Sequence, residues 1–176
     1  MSSSLSIQPF HANYATDVIS LFSEINRSLA PEGKEQAFEN YIQNSIEDEI
    51  GRIESYFTEK QGGFWIALKD QKLVGMYGLE TVSNTTMELR RMYVDPSHRR
   101  QGIAQKLLSH AEVQCARSSK SMLELSTSEI QKAALQLYHS AGFVLVHEET
   151  ATEASNKTIG GGINRFYFEK RVLKSE

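Results

Sequence analysis

Within thirteen residues, Met92 to Ala104, the chain runs from a strand through a proline-containing turn and a basic pair to a glycine that opens a helix. Met92-Tyr93-Val94 ends the strand, Asp95-Pro96 makes the turn, and Arg99-Arg100 supplies charge. After Gly102, the residues Ile103, Leu107, Leu108, Ala111 and Cys115 recur at helical spacing. An anion site requires that order. The first amides of a helix lack an intrahelical acceptor, and the aligned peptide dipoles add about half a positive charge there. A phosphate answers both deficits. Gly102 lets the backbone come close to a diphosphate where a side chain would block it, and the small Ala104 extends that clearance. A basic pair is also ordinary solvated surface, so these residues alone leave both readings open.

The rest of the chain alternates between strand and helix periods. Leu5 to Phe10 alternates as a strand, and Val18, Ile19, Phe22, Ile25 and Leu29 follow at helical spacing, with Thr16 or Asp17 placed to cap. After the turn at Ala30-Pro31-Glu32-Gly33, Phe38, Ile42, Ile46, Ile50, Ile53 and Phe57 mark one side of a longer helix or a broken pair. Phe64 to Leu68 and Leu73 to Leu79 flank the polar turn Lys69-Asp70-Gln71-Lys72 as a hairpin. In the next strand, Met87 to Val94, the apolar positions slip phase between Leu89 and Met92, and a bulge near Arg90-Arg91 would restore the pairing. Downstream, Met122 to Leu125 reads as a strand. Ile130, Ala133, Ala134, Leu137, Tyr138 and Ala141 form a helical stripe that stops at Gly142, and Phe143 to Val146 is strand again. Glu148 to Gly162 is polar, closes on three glycines, and reads as a mobile loop before a last strand, Arg165 to Val172. Without an internal repeat or a dividing linker, one domain spanning 1–176 is expected.

Composition removes several classes of function. A chain of 176 residues with 40% apolar content can bury one sizeable core. Its net charge of -3 leaves no surplus of cation to neutralise a run of phosphates, so nucleic acid is not an expected partner. The single Cys115 excludes an internal disulfide framework and a cysteine cluster for zinc. It reads as a small core residue in a reducing compartment. His98, His110, His139 and His147 are scattered without ligand spacing, so no metal is expected, and Trp65 reads as core or as a border of a substrate cleft. Met1 to Leu5 lacks the basic flank and apolar run of a signal peptide, and no apolar stretch approaches the about 20 residues that a spanning helix needs. The expectation is a cytoplasmic protein with no membrane partner.

A family resemblance rests on two motifs. Arg99-x-x-Gly102-x-Ala104 resembles the Arg/Gln-x-x-Gly-x-Gly/Ala signature of the GNAT N-acetyltransferase superfamily, and the preceding Met92-Tyr93-Val94-Asp95-Pro96 is similar to that family's fourth strand and turn. Downstream, Ala134-x-x-Leu137-Tyr138-x-x-x-Gly142-Phe143 resembles its second hallmark, a helix that carries Leu-Tyr and ends in Gly-Phe. The resemblance implies an α/β (α+β) fold. A mixed, mostly antiparallel, twisted sheet of about six or seven strands, with about four helices, would split like a V between strands four and five. Acetyl-CoA would lie in that split as co-substrate. The backbone of Met92 and Val94 would pair with its pantetheine arm, while Arg99, Arg100, Gln101, Gly102, Ile103, Ala104 and Gln105 would hold its diphosphate. A bulge in the fourth strand is a family feature too, in accord with the phase slip.

Acyl transfer from a thioester to an amine needs the amine deprotonated, the oxyanion stabilised and the departing thiolate protonated. Tyr138 resembles the family's tyrosine that serves as general acid, and a phenol with a reference pKa of about 10 has its proton at neutral pH. An aromatic that simply packs the core is the competing reading. Glu88, six residues before Val94, stands where some members have a glutamate general base; otherwise it pairs with Arg90 or Arg91. The family often has asparagine seven residues before the tyrosine, on the cofactor arm. Here Gln131 holds that position, with the same hydrogen-bonding groups on a longer stem.

The acceptor is less constrained. Arg90 and Arg91 could bind an anionic group on it, or pair with Glu80 or Glu88. Gly63 to Ala67 and Leu89 to Met92 look somewhat like the camello-type subgroup, but its membrane-associated hydrophobic segment is missing, so its substrates are not carried over. A small-molecule amine, such as an amino acid, is the first expectation. A protein lysine or N-terminus would need an open groove, and an ordered loop over Glu148 to Gly162 would count against it. A non-catalytic acetyl-CoA sensor is the third alternative, against which Tyr138 and Glu88 speak. Many relatives form a homodimer, though no residue here demands one.

Overall fold

Strands form at Leu5–Pro9 (β1), Gly63–Lys69 (β2), Lys72–Thr81 (β3), Thr86–Val94 (β4), Met122–Ser128 (β5), Val144–Ala151 (β6) and Ile163–Arg171 (β7). Helices form at Ala15–Leu29 (α1), Glu35–Asp48 (α2), Ile53–Glu59 (α3), Ile103–Arg117 (α4) and Lys132–Ser140 (α5). The computed structural model describes residues 4–173. Met1 to Ser3, at the head of the start that lacks signal-peptide features, lie outside the described residues. The strands make one mixed sheet in the order β1-β2-β3-β4-β5-β7-β6, antiparallel throughout except for the parallel pair β4 and β5.

Local chemistry explains the first half of the sheet. Asp70 and Gln71 join β2 to β3, both with positive φ (50° and 62°), as the twist of a two-residue hairpin turn requires. In the β3–β4 pair, Gly78 faces Arg90 and Met76 faces Tyr93, so Arg91 and Met92 together oppose the single Tyr77. This is the bulge that the phase slip predicts. Arg91 takes a left-handed φ of 55° there, a conformation that costs a non-glycine residue about 1 kcal/mol and must be held by its contacts. Because the bulge interrupts alternation, Arg90 and Arg91 emerge on the same face of the sheet, where both meet Glu49.

Each face of the sheet carries its own core. Val18 and Phe22 of α1, with Phe38 and Ile42 of α2, pack on Ile66 and Met76. On the other face Ile103, Leu107, Leu108, Ala111 and Cys115 of α4 pack on Val74, Tyr77, Leu79 and Leu123. Burying each such side chain contributes about 1.5–3 kcal/mol. Burial also pushes the Cys115 thiol up to about 11, so it behaves as an inert core residue. Trp65 stacks on Tyr77 at 5.2 Å and lies against His110. No helix among the described residues is long and apolar enough to cross a membrane.

Three details depart from the sequence reading, and a fourth decides between two alternatives that it left open. Thr16 and Asp17 lie inside α1, not at its cap; a short 3-10 turn, Ala12–Tyr14, leads into the helix and is capped by His11 Nδ1, which accepts from the Asn13 amide at 3.1 Å. The Phe38–Phe57 stripe is the broken pair, interrupted where Glu49 is drawn wholly into the interior. In α5 the helix begins only at Lys132, so Ala133 faces solvent, Leu135 packs inward, and Ile130 joins the opposite core. Finally, β6 continues to Ala151, and the loop after it is anchored by Ile159, buried in the α1–α2 core.

Candidate active site

The β4–β5 ladder runs from Thr86 opposite Met122 to Leu89 opposite Leu125 and stops. Beyond it, β4 continues to Val94, whereas β5 stays paired with β7 as far as Ser128 opposite Arg165. The two parallel strands therefore splay. The Asp95 amide donates to Val74 of β3 at 2.9 Å, so by strand alternation the backbone groups of Val94 and Met92 face the open side. An extended ligand arm laid in the split would meet them as it would a neighbouring strand.

The chain leaves the free end of β4 through the 3-10 turn Pro96–His98 and enters α4 at Ile103. Lys106 donates to the Gly102 carbonyl at 3.1 Å as the helix's first bond, leaving the amides of Ile103, Ala104 and Gln105 without an intrahelical acceptor. No side chain caps this end, and no acidic residue occupies its first turn. Gly102 has φ +78°, and a Cβ built on it would meet nothing within 4 Å. Glycine is required by conformation there, and the space above it is open to a ligand. Arg100 is also left-handed at φ 61°, and such alternation turns successive amides toward one point. Arg99 and Arg100 are exposed, and neither makes an ion pair among the described residues. Gln101 accepts from Lys69 Nζ at 3.1 Å, and Ile103 turns its side chain into the core, offering only its amide.

Deeper in, a cavity of about 70 Å³ is lined by Glu88, Met92, Ser126, Gln131, Tyr138 and Arg165, among others. Tyr138 is held by the rings of Phe143 and Phe168, with centroids 5.8 and 6.1 Å away. Burial pushes its phenol above the ordinary value, and its hydroxyl makes no hydrogen bond to another described residue. It is a protonated donor without an internal acceptor. Glu88 pairs with Lys157 Nζ at 3.0 Å, not with Arg90 or Arg91. Gln131 lines the same cavity and accepts from the Thr127 hydroxyl at 2.9 Å, and its NH2 group donates to no other described residue. Trp65 is not among the lining residues, because it packs on the α4 face.

Arg90 and Arg91 are engaged inside the protein. Arg90 bonds Glu80 at 2.9 Å, Glu49 at 3.0 Å and the Asn156 carbonyl at 3.2 Å. Arg91 grips Glu49 through Nε and Nη2 at 3.1 and 2.7 Å, donates to the Tyr41 hydroxyl at 2.7 Å, and also donates to the Asn156 carbonyl. Burial works against a charge on Glu80, yet the Arg90 guanidinium, the Tyr56 hydroxyl and Lys157 hold its carboxyl at about 2. Asn156 and Lys157 belong to the β6–β7 loop, so this network straps the loop across the cleft. The sequence reading missed Glu49, Lys157, Ser126 and Arg165. Their partners lie far along the chain, and no spacing signal joins them.

Residues 19–143 match the model of the acetyltransferase (GNAT) family. The chain belongs to the GNAT family. Human N-acetyltransferase 8 is 41% identical to this GNAT chain over 95 residues, which are 51% of the chain and 41% of the relative. N-acetylaspartate synthetase of Danio rerio is 33% identical over 112 residues, 62% of this chain and 39% of its own. The GNAT chain thus spans about two fifths of these relatives' length. An acetyltransferase of Salmonella typhimurium, solved with its cofactor acetyl-CoA, superposes with a TM-score of 0.70 at 15% identity, covering 99% of this chain and 97% of its own. That likeness is one of fold.

Proposed function

We propose that this GNAT protein is an acetyl-CoA-dependent N-acetyltransferase that acts on the primary amine of a small molecule, an amino acid or a similar amine. One observation carries the reading: β4, whose Glu88 and Met92 line the cavity with Tyr138, runs on past its pairing with β5 to Val94 and leads through the turn at Asp95 to the uncapped start of α4. The donors suit the ligand. The amides from Gly102 to Gln105, with Arg99, Arg100 and Gln101 beside them, offer positive charge and hydrogen bonds to a diphosphate. Met92 and Val94 offer an edge to an amide-containing arm, and Gln131 a further amide to the same arm. When bound, acetyl-CoA supplies the acyl group as an activated thioester.

The protein's own part is to place protons. Tyr138 keeps its proton at neutral pH and can give it to a sulfur leaving nearby. Glu88, a carboxylate at the cavity wall, can take one from an incoming ammonium directly or through water. Lys157 occupies one carboxylate oxygen of Glu88, and movement of the loop that carries Lys157 would free it.

The strapped β6–β7 loop favours a small acceptor over a protein lysine or N-terminus, since a cavity of about 70 Å³ beneath it has no room for a polypeptide. The name of the Danio rerio relative, N-acetylaspartate synthetase, supports an amino acid among small amines. We place the reaction in the cytoplasm, on the ground that a lone buried thiol needs no oxidising compartment. A screen of amino acids, polyamines and lysine peptides, read as release of CoA thiol, tests the reading. Turnover with small amines is the expected result; turnover with peptides alone would favour the protein-directed alternative, and acetyl-CoA binding without turnover the sensor.

A further inference from the structure

We infer that Arg165 selects the acceptor by binding a carboxylate on it inside the cleft. The inference rests on the N-acetyltransferase reading above and adds the chemical class of the substrate and the residue that recognises it. Arg165 stands near the start of β7, opposite Ser128 of β5 and Glu149 of β6, and its side chain lines the cavity with Glu88 and Tyr138.

Three arginines line that cavity, and they differ in what answers their charge. Arg90 and Arg91 are matched by Glu49 and Glu80. Arg165 has no carboxylate within ion-pair distance among the described residues, although Glu149 lies opposite it. Glu149 instead accepts from the Tyr167 hydroxyl and faces His147 at 3.6 Å. Among the described residues, the one hydrogen bond of the Arg165 guanidinium runs from Nη2 to the Ser126 hydroxyl oxygen at 2.8 Å, and its buried Nε has no acceptor. A buried N–H left unanswered is costly, and a cationic fork with free donors in a cleft matches a carboxylate in both charge and geometry. Ser126 adds to the match, because its oxygen accepts from Arg165 and its proton remains free for the same ligand.

Size and chemistry narrow the ligand further. A volume of about 70 Å³ is about five to seven water volumes at roughly 10–15 Å³ each, enough for the head of a compact acceptor. The transferred acetyl group requires an amine, and Arg165 requires an anion. An amino acid carries both within a few bonds. Its carboxylate would sit at Arg165 and Ser126, leaving the amine to the side of the cavity that Glu88 and Tyr138 line.

The test compares amino acids with their own α-carboxamides, alongside polyamines and a lysine peptide, by CoA thiol release from the intact protein, Arg165→Gln and Arg165→Lys. At least one acid should be used with kcat/KM about tenfold or more above its amide. Arg165→Gln should bring that ratio to about one through a rise in KM for the acid, with Arg165→Lys intermediate because it keeps charge without the planar fork. Thermal melting controls for folding; if the glutamine variant fails to fold, the lysine variant decides, and an unchanged ratio in it overturns the inference. Amides used as well as acids, or turnover confined to amines without a carboxylate, also overturns it while leaving the acetyltransferase reading intact. No turnover with any amine, joined to no calorimetric uptake of acetyl-CoA, removes both.

Discussion

Tyr138 and Arg165 show how a residue's chemistry is set by what its neighbours withhold. The ring of Tyr138 is fixed by Phe143 and Phe168, yet nothing in the described protein accepts from its hydroxyl. Tyr138 lines the cavity, where a ligand can accept from its hydroxyl, which favours the donor role over simple packing. Tyr138→Phe should lower kcat by about 10²-fold. The affinity for acetyl-CoA should stay within about threefold, since the phenol lies away from the diphosphate site. Burial raises the phenol above its ordinary value near 10, so the donor form persists as pH rises toward that value. The kcat profile should therefore show no alkaline fall from Tyr138 below about pH 10, as steady-state assays across pH would reveal. An earlier fall that disappears in Tyr138→Phe would contradict this.

Among the elements, the β4 bulge and the ion pairs beneath it matter most. The bulge turns two arginines to one face, Glu49 and Glu80 answer them, and the β6–β7 loop is strapped down through Asn156 and Lys157. Glu80 makes the arrangement sensitive to acid. Its carboxyl titrates at about 2 in the fold against 4.5 ordinarily, so the unfolded chain takes up the proton first. The stability it contributes is complete above about pH 4.5 and is lost as pH falls toward 2, on the order of 3 kcal/mol. Thermal melts should show a steep drop over that window. In Glu80→Gln the drop should shrink, and stability at neutral pH should fall by about 3 kcal/mol, because a buried guanidinium loses a partner. Elements of this kind divide by how locally they are encoded. The bulge was legible, because the slip between Leu89 and Met92 is a local pattern. So were the five buried positions of α4 and the stop at Gly142, whose φ is +86°. The α1 cap and the exposure of Ala133 were not, since a 3-10 lead-in and a late helix start shift the register without altering the apolar residues. The pairing of Arg90 with Glu80 was legible as one alternative, whereas Glu49 and Lys157, which lie up to 69 residues from their partners and are brought to them by topology, were not.

At the scale of the whole molecule, the sheet opens because β5 leaves β4 after Leu125 and follows β7 instead. The strand on one side of the opening, β4, leads into α4, and the strand on the other, β5, leads into α5 with Tyr138. The uncapped helix start was readable from Arg99 to Gln105 because a helix start is a local structure. The cavity beside Tyr138 was not, since it is assembled from β4, β5, β7 and the β6–β7 loop. Everything proposed for the reaction depends on the α4 amides holding the diphosphate of acetyl-CoA. A calorimetric titration of acetyl-CoA into the intact protein and into Gly102→Glu tests this directly. The account predicts uptake at one site per chain in the protein and none in the variant, where a side chain and a negative charge occupy the anion's place, with folding verified by thermal melting. Equal affinity in the two proteins would contradict it.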